Sequence, residues 1–275
     1  MKLRFWFLLP TRIWLALLLA APLAIICAYS ALTRGAYGGV ALPWTGENYE
    51  RLFDPLYGTI LLKSLVMAAA ATALCLLLGF PLALFLTRAK KHKELYLFLV
   101  ILPFWTSFLV RTYAWMFLLR DTGLVNTALL GLGLIRQPLP LLYNDGAVLL
   151  GLVYGYLPFM ILPLYATLER LDPALLEAAA DLGARPLTAL ARIAVPLSAP
   201  GIRAGLILVF IPCVGAYLTP DLLGGGKTVM IGNLVQNQFT TARDWPFGSA
   251  VSLALMGVVV LLVVAFLRRG GEDTL

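Results

Sequence analysis

Apolar residues run almost unbroken through six stretches of the chain, near 13–33, 61–87, 95–119, 147–168, 198–220 and 248–267, separated by polar connections. Each stretch reaches the roughly 20 residues that a helix needs to cross a ~30 Å hydrocarbon core. The pattern predicts an all-α integral membrane protein with six transmembrane helices, forming one transmembrane domain over residues 1–275. The longest connections, of about 25 to 30 residues, are too short for a soluble domain, so any soluble chemistry resides on another polypeptide. Lys2, Arg4 and Arg12 before the first stretch, with Ala20-Ala21 inside it, imitate a secretory leader. The apolar run continues to about Leu32, beyond the roughly 7–15 residues of a leader core, which predicts an uncleaved first span.

A polar island from Glu177 to Pro196 interrupts the apolar pattern, inside the connection 169–197. Asp172 is placed to cap a helix whose first position, Pro173, needs no amide, and Gly183 breaks that helix. Leu175, Ala178, Ala179 and Leu182 share one helical face, while Glu177 and Asp181 lie four apart on the other. Like charges at that spacing repel by a few tenths of a kcal/mol. Asp181 is within reach of Arg185, whereas Glu177 has no local cation. A helical hairpin of this kind offers a handle to a soluble partner.

Composition agrees with a membrane protein: 61% of residues are hydrophobic and 13% charged, against roughly 25% charged in soluble domains. Lys and Arg set the expected orientation. With the N-terminus in the cytoplasm, twelve fall inside (Lys2, Arg4, Arg12, Arg88, Lys90, Lys91, Lys93, Arg170, Arg185, Arg192, Arg268, Arg269) and six outside (Arg34, Arg51, Arg120, Arg136, Lys227, Arg243). Both termini and the island are then cytoplasmic. The net charge of +7 follows from this bias and gives no reason to expect a nucleic-acid partner. Cys27, Cys75 and Cys213 all lie in predicted spans without metal-ligand spacing and read as small apolar fillers.

Candidate chemistry is sparse. Gly224-Gly225-Gly226-Lys227-Thr228 resembles the end of a phosphate-binding loop, but Asp221 stands where that pattern requires its first glycine. A turn after the fifth span is expected there, with no nucleotide site. His92, the single histidine, lies among lysines, and no hydrolase or zinc-protease pattern accompanies it. All fourteen carboxylates map to connections or span ends, which weighs against a proton- or sodium-coupled carrier. Arg111 is the one deep cation, to be paired with Asp121 or extended outward along the span. Gly151 and Gly155 have the spacing of a close helix crossing, and Pro81, Pro103, Pro158, Pro163 and Pro212 invite kinks.

The island then supplies a pattern: Glu177-Ala178-Ala179, three residues, Gly183, nine residues, Ile193, one residue, and Val195-Pro196. This resembles the coupling segment of the permease subunits of binding-protein-dependent ABC importers with the type I fold, departing from it only by Val195 in place of leucine. That change is conservative and is expected to leave coupling intact. Further strings narrow the likeness: Asp54 to Tyr57, Pro103 to Trp115, Gly151 to Tyr165, Asp221 to Phe239 and Arg243 to Gly248. They are similar to the first permease subunit of spermidine/putrescine importers, whose relatives handle opines, aminophosphonates or ferric ions.

The resemblance implies a multi-pass protein of the bacterial plasma (inner) membrane, with no cofactor, metal or catalytic residue of its own. It also implies a second, distinct permease subunit, two copies of a cytoplasmic ATP-binding subunit and an external solute-binding protein. Glu177 and the turn at Gly183 would sit in a groove of the ATPase. For a polyamine path the candidates are Trp105, Tyr113, Tyr154, Tyr156, Tyr217 and Asp221, through cation–π contacts of about 0.5–2 kcal/mol each. The same aromatics also suit an interfacial belt in contact with lipids. Within the class, import of another small solute stands as the alternative; outside it, a secondary carrier or a membrane enzyme.

Overall fold

The computed structural model describes residues 2–89 and 91–271, with side chains for 9–89 and 91–268. Lys90, Arg269 and the side chains of Lys2 and Arg4, which entered the orientation count, lie outside the described side chains. In chain order the elements are α1 (Lys2–Ser30), β1 (Leu32–Arg34), β2 (Val40–Trp44), α2 (Glu47–Arg51), α3 (Pro55–Arg88), α4 (Lys93–Ile101), α5 (Phe108–Leu119) and α6 (Leu124–Gly131). There follow α7 (Asp145–Leu168), α8 (Pro173–Asp181), α9 (Pro186–Ala189), α10 (Val195–Leu197), α11 (Ala199–Val214), α12 (Leu218–Gly224), α13 (Ile231–Thr240) and α14 (Trp245–Gly271). A 3₁₀ turn occupies Leu102–Trp105 and a π-helical turn Leu190–Ala194.

Four of the six expected spans are single helices: Leu9–Ser30, Pro55–Arg88, Asp145–Leu168 and Trp245–Arg268. The other two are bent pairs, Lys93–Trp105 with Phe108–Gly131 at 91°, and Pro186–Leu197 with Ala199–Val214 at 71°. Six spans result when each pair counts as one. The third breaks at Thr106, whose backbone is extended and whose hydroxyl donates to the Pro103 carbonyl at 2.7 Å. Pro103 brings no amide to the helical ladder, so the turn tightens there and the chain redirects. In contrast, α3, α7 and α11 continue as single helices past Pro81, Pro158, Pro163 and Pro212.

The chain is mostly helical, as expected, and adds one small strand pair. β1 and β2 pair antiparallel in the connection between the first two spans, with Thr33 opposite Ala41 and its hydroxyl donating to the Ala41 carbonyl at 2.9 Å. Strands of three and five residues are too short to leave a readable alternation.

The helices fall into two compact units, one made by residues up to Leu61 and from Leu234, the other by Leu62–Asn233. In the first, α1 packs along α14, and α2 and β1 pack against α14. The buried Asn48 amide donates to the carbonyls of Ser30 and Leu32, and Tyr49 shares a 2.7 Å hydrogen bond with Ser30. Asp54 accepts from the Leu56 amide and starts α3, with Pro55 at the first helical position. In the second unit α7 is the central helix, packed most extensively against α11 and also against α12 and α5. The Gly151 and Gly155 spacing makes two of these approaches. A methyl group at Gly151 would stand 2.5 Å from Leu223 of α12, and one at Gly155 2.8 Å from Phe108 of α5.

Candidate functional site

The island folds as two helical limbs. Asp172 accepts from the Ala174 amide at 3.0 Å and Pro173 opens α8, as the sequence predicts. At its other end the Gly183 amide donates to Ala180 and the Ala184 amide to Ala179, each at 2.9 Å. With Gly183 at φ +80°, these paired bonds form a Schellman cap, which a side chain at Gly183 would strain. The second limb is α9, the π turn and α10, and it packs against α8.

Of the expected apolar face of α8, Ala179 alone is buried. Leu182 and Leu187 are 89% and 79% exposed, beside exposed Glu177, Ala178, Gly183 and Pro196, while Ile193 is half-buried. No ion pair joins Asp181 to Arg185 among the described residues; the carboxylate and guanidinium both remain exposed on either side of the cap. The island therefore exposes the Glu177 carboxylate and two leucines, Leu182 and Leu187. Their exposure was not readable from periodicity, because Leu182 terminates α8 and Leu187 follows Pro186 in a new limb.

Just before the island, Glu169 bonds the Lys93 ammonium, which also lies 5.4 Å from the Tyr165 ring. The Lys93 ammonium, and after it the Tyr165 hydroxyl, hold the Glu169 carboxyl below the ordinary carboxylate range. This ties the start of the bent third span to the end of α7.

The six path candidates do not converge on one cavity. Tyr154 meets Trp115 edge-on at 5.4 Å and lines an apolar cavity of about 320 Å³ with Phe85, Tyr96, Phe104 and Pro158. Tyr156, two residues on and so across the helix, approaches Phe108 and Phe159 at 6.3 Å, its hydroxyl donating to the Pro212 carbonyl at 3.4 Å. Trp105 is 75% exposed at the break and touches Phe98 edge-on. Tyr113 lines a separate, more polar cavity of about 580 Å³ with Arg120, Asp121, Tyr143 and Lys227. Tyr217 and Asp221 are both exposed, one turn apart at the start of α12.

Arg111 forms neither of its expected contacts. Its guanidinium lies 4.7 Å from the Phe104 ring and 5.5 Å from Phe108, back toward the break and away from Asp121. Helical side chains tilt toward the N-terminus of their helix, which sets this direction.

The glycine-rich segment is a turn, as expected. Gly225 and Gly226 adopt positive φ after α12, the Tyr143 amide donates to the Leu223 carbonyl, and Thr228 donates to Asp145 at 2.5 Å. Asp145 also accepts from Lys63 at 2.9 Å. This clasp of α3, α7 and the turn was missed in the sequence, where 82 residues separate the two charges (145 − 63).

Residues 76–270 match the model of the binding-protein-dependent transport system inner membrane component. The chain is 46% identical over 256 residues to the spermidine/putrescine transport system permease protein PotB of Escherichia coli strain K12, covering 93% of each chain. It is 44% identical to the protein of the same description from Haemophilus influenzae, over 93% of this chain and 90% of the relative. In fold it is similar to a chain of a bacterial ABC transporter involved in alginate import, with a TM-score of 0.76 over 100% of this chain and 96% of the other, at 20% identity. These matches span the bent third and fifth spans and the island between α7 and α11. The chain belongs to the family of binding-protein-dependent transport system inner membrane components, multi-pass proteins of the inner membrane.

Proposed function

We propose that the chain is one permease subunit of an ATP-driven polyamine importer, providing part of the path for spermidine or putrescine. The observation that carries this reading is the 46% identity to a spermidine/putrescine permease over 93% of both chains. ATP hydrolysis belongs to two copies of a separate ATPase, a second and distinct permease completes the path, and an external binding protein delivers the solute. Both termini and the island face the cytoplasm, following the Lys and Arg bias. Nucleotide-driven closure of the ATPase then moves the island, and with it α7 and α11, between inward- and outward-facing arrangements.

Glu177, Ala178, Ala179, Gly183, Ile193 and Pro196 make up the coupling surface. Glu177 is exposed with no ion pair among the described residues, and a basic groove on the ATPase supplies its partner. Leu182 and Leu187 add apolar area to the same contact. The capped turn at Gly183 keeps this surface rigid, so motion of the groove is transmitted rather than absorbed. Along the path, Trp105, Tyr113, Tyr154, Tyr156, Tyr217 and Asp221 handle successive ammonium groups. Contacts of about 0.5–2 kcal/mol each favour passage over retention.

Uptake into proteoliposomes containing both permeases, the ATPase and the binding protein tests the reading. Labelled spermidine or putrescine should accumulate only with ATP and the binding protein present. An anion or sugar as the sole ligand of that binding protein would refute the polyamine assignment. For the coupling surface, Glu177→Lys is expected to cut ATPase co-purification and uptake about tenfold or more while membrane insertion stays normal.

A further inference from the structure

We infer that the protein holds an anionic phospholipid, with a hydrocarbon tail in the apolar groove between α3, α4 and α7 and the phosphate on Arg88 and Lys91. The inference rests on the membrane-spanning helices and not on the identity of the solute. Leu82, Phe85 and Leu86 from the end of α3 and Tyr96, Leu99 and Val100 from α4 line the groove, whose volume is about 320 Å³. Its floor is shut, with Leu86 and Ile161 of α7 buried, while Phe85 and Leu99 at its rim are 52% and 50% exposed. The groove therefore opens at the surface of the subunit. Left empty, it would forfeit dispersion contacts along its walls, and a flexible hydrocarbon tail restores them. Bulk lipid is as apolar as the groove, so burial of the tail gives no preference among lipids. The headgroup must supply it.

The connection between α3 and α4 brings cations to one end of this groove. It joins two spans and therefore lies at a membrane surface. Arg88 stands three residues past Phe85, which makes the two neighbours on the surface of α3. Beyond it come Lys90, Lys91, His92 and Lys93 before the single carboxylate of Glu94. Glu169 takes the Lys93 ammonium, and with it the exposed Arg170 is drawn to the same end. Arg88 and Lys91 are exposed, and neither has a carboxylate within 4.0 Å among the described residues. A basic connection by itself follows from membrane orientation alone. Here it borders an open apolar groove, and the two together match both parts of an anionic phospholipid. The guanidinium and the ammonium donate to phosphate oxygens while the tail fills the groove.

Native mass spectrometry of the full complex, released from nanodiscs of equal phosphatidylglycerol and phosphatidylcholine, provides the test. The wild type should retain phosphatidylglycerol about thirtyfold over phosphatidylcholine, and Arg88→Gln with Lys91→Gln should abolish most of that preference. Leu99→Trp fills the groove and leaves every cation in place. It should also lower the retained phosphatidylglycerol several-fold, which separates binding from any change of orientation in the charge variant. A photo-reactive residue at Leu99 in the otherwise wild-type complex should label phosphatidylglycerol. Equal retention of the two lipids by the wild type, or an unchanged preference in either variant, overturns the assignment, since the groove then holds bulk lipid only. So does a Leu99 cross-link to the second permease or to labelled spermidine, which would make the groove a subunit interface or a part of the path.

Discussion

Asp244 satisfies four groups around one corner. Its carboxylate accepts from Arg51 at 2.9 Å and from the Phe247 amide at 3.2 Å, its amide donates to Gln238, and its carbonyl accepts from Gly248. The Arg51 guanidinium stacks 3.9 Å over the Phe247 ring, itself fully buried. Asp244→Ala removes a helix cap and strands part of the Arg51 charge, which at 40% side-chain exposure is relieved by water. A loss of about 2–3 kcal/mol is expected from unfolding in detergent, and Asp244→Asn, which keeps the cap, should lose less. Glu169 behaves differently because it is exposed. Its lowered folded-state pKa means that its tie to Lys93 is present above the ordinary carboxylate range and fades as pH falls through the folded value. The melting temperatures of wild type and Glu169→Gln should therefore differ near neutral pH and converge in acid. Neither arrangement was legible at this scale: Arg51 and Asp244 are distant in sequence, and a string such as Arg243 to Gly248 does not reveal which of its residues caps and which stacks.

Helices were far more legible than the contacts between them. The start of α8 at Asp172-Pro173 and its end at Gly183 follow from capping chemistry confined to a few neighbouring residues. The break in the third span did not follow, because an apolar run has the same composition whether straight or bent, whereas the bend at Ser198 falls where the island meets the apolar run that starts at 198. The five predicted proline kinks show why. Pro103 lies at a break, yet α7 runs on through Pro158 and Pro163, since packing against neighbours decides whether a missing amide is tolerated. Close packing at the Gly151 and Gly155 spacing carries its own test. Gly151→Leu is expected to cost about 1–3 kcal/mol by wedging α12 off α7, measurable as a lower melting temperature of the purified subunit. Even Gly151→Ala should be felt, because its methyl would meet Leu223 and Thr219 at 2.5 and 2.7 Å.

At the scale of the whole molecule the proposed path and the proposed handle lie on different elements of the chain. Its membrane-spanning helices and its family could be read from apolar length and one motif. The proposed path was legible only as a set of residue types. The aromatics divide between an apolar cavity at Tyr154, a contact with Pro212 at Tyr156 and a polar cavity at Tyr113, and tertiary placement alone separates them. The broken third span also bears on how the protein enters the membrane. Its first piece, Lys93–Trp105, and the helix that opens its second, α5 (Phe108–Leu119), are each shorter than the roughly 20 residues that partition as an independent helix. The chain at the break also leaves backbone groups for which lipid has no partners. Insertion of this segment therefore waits for α7, whose Gly155 receives Phe108. In a translocation assay, chains truncated after residue 119 should remain open to protease within this segment, and chains extended through residue 168 should become protected.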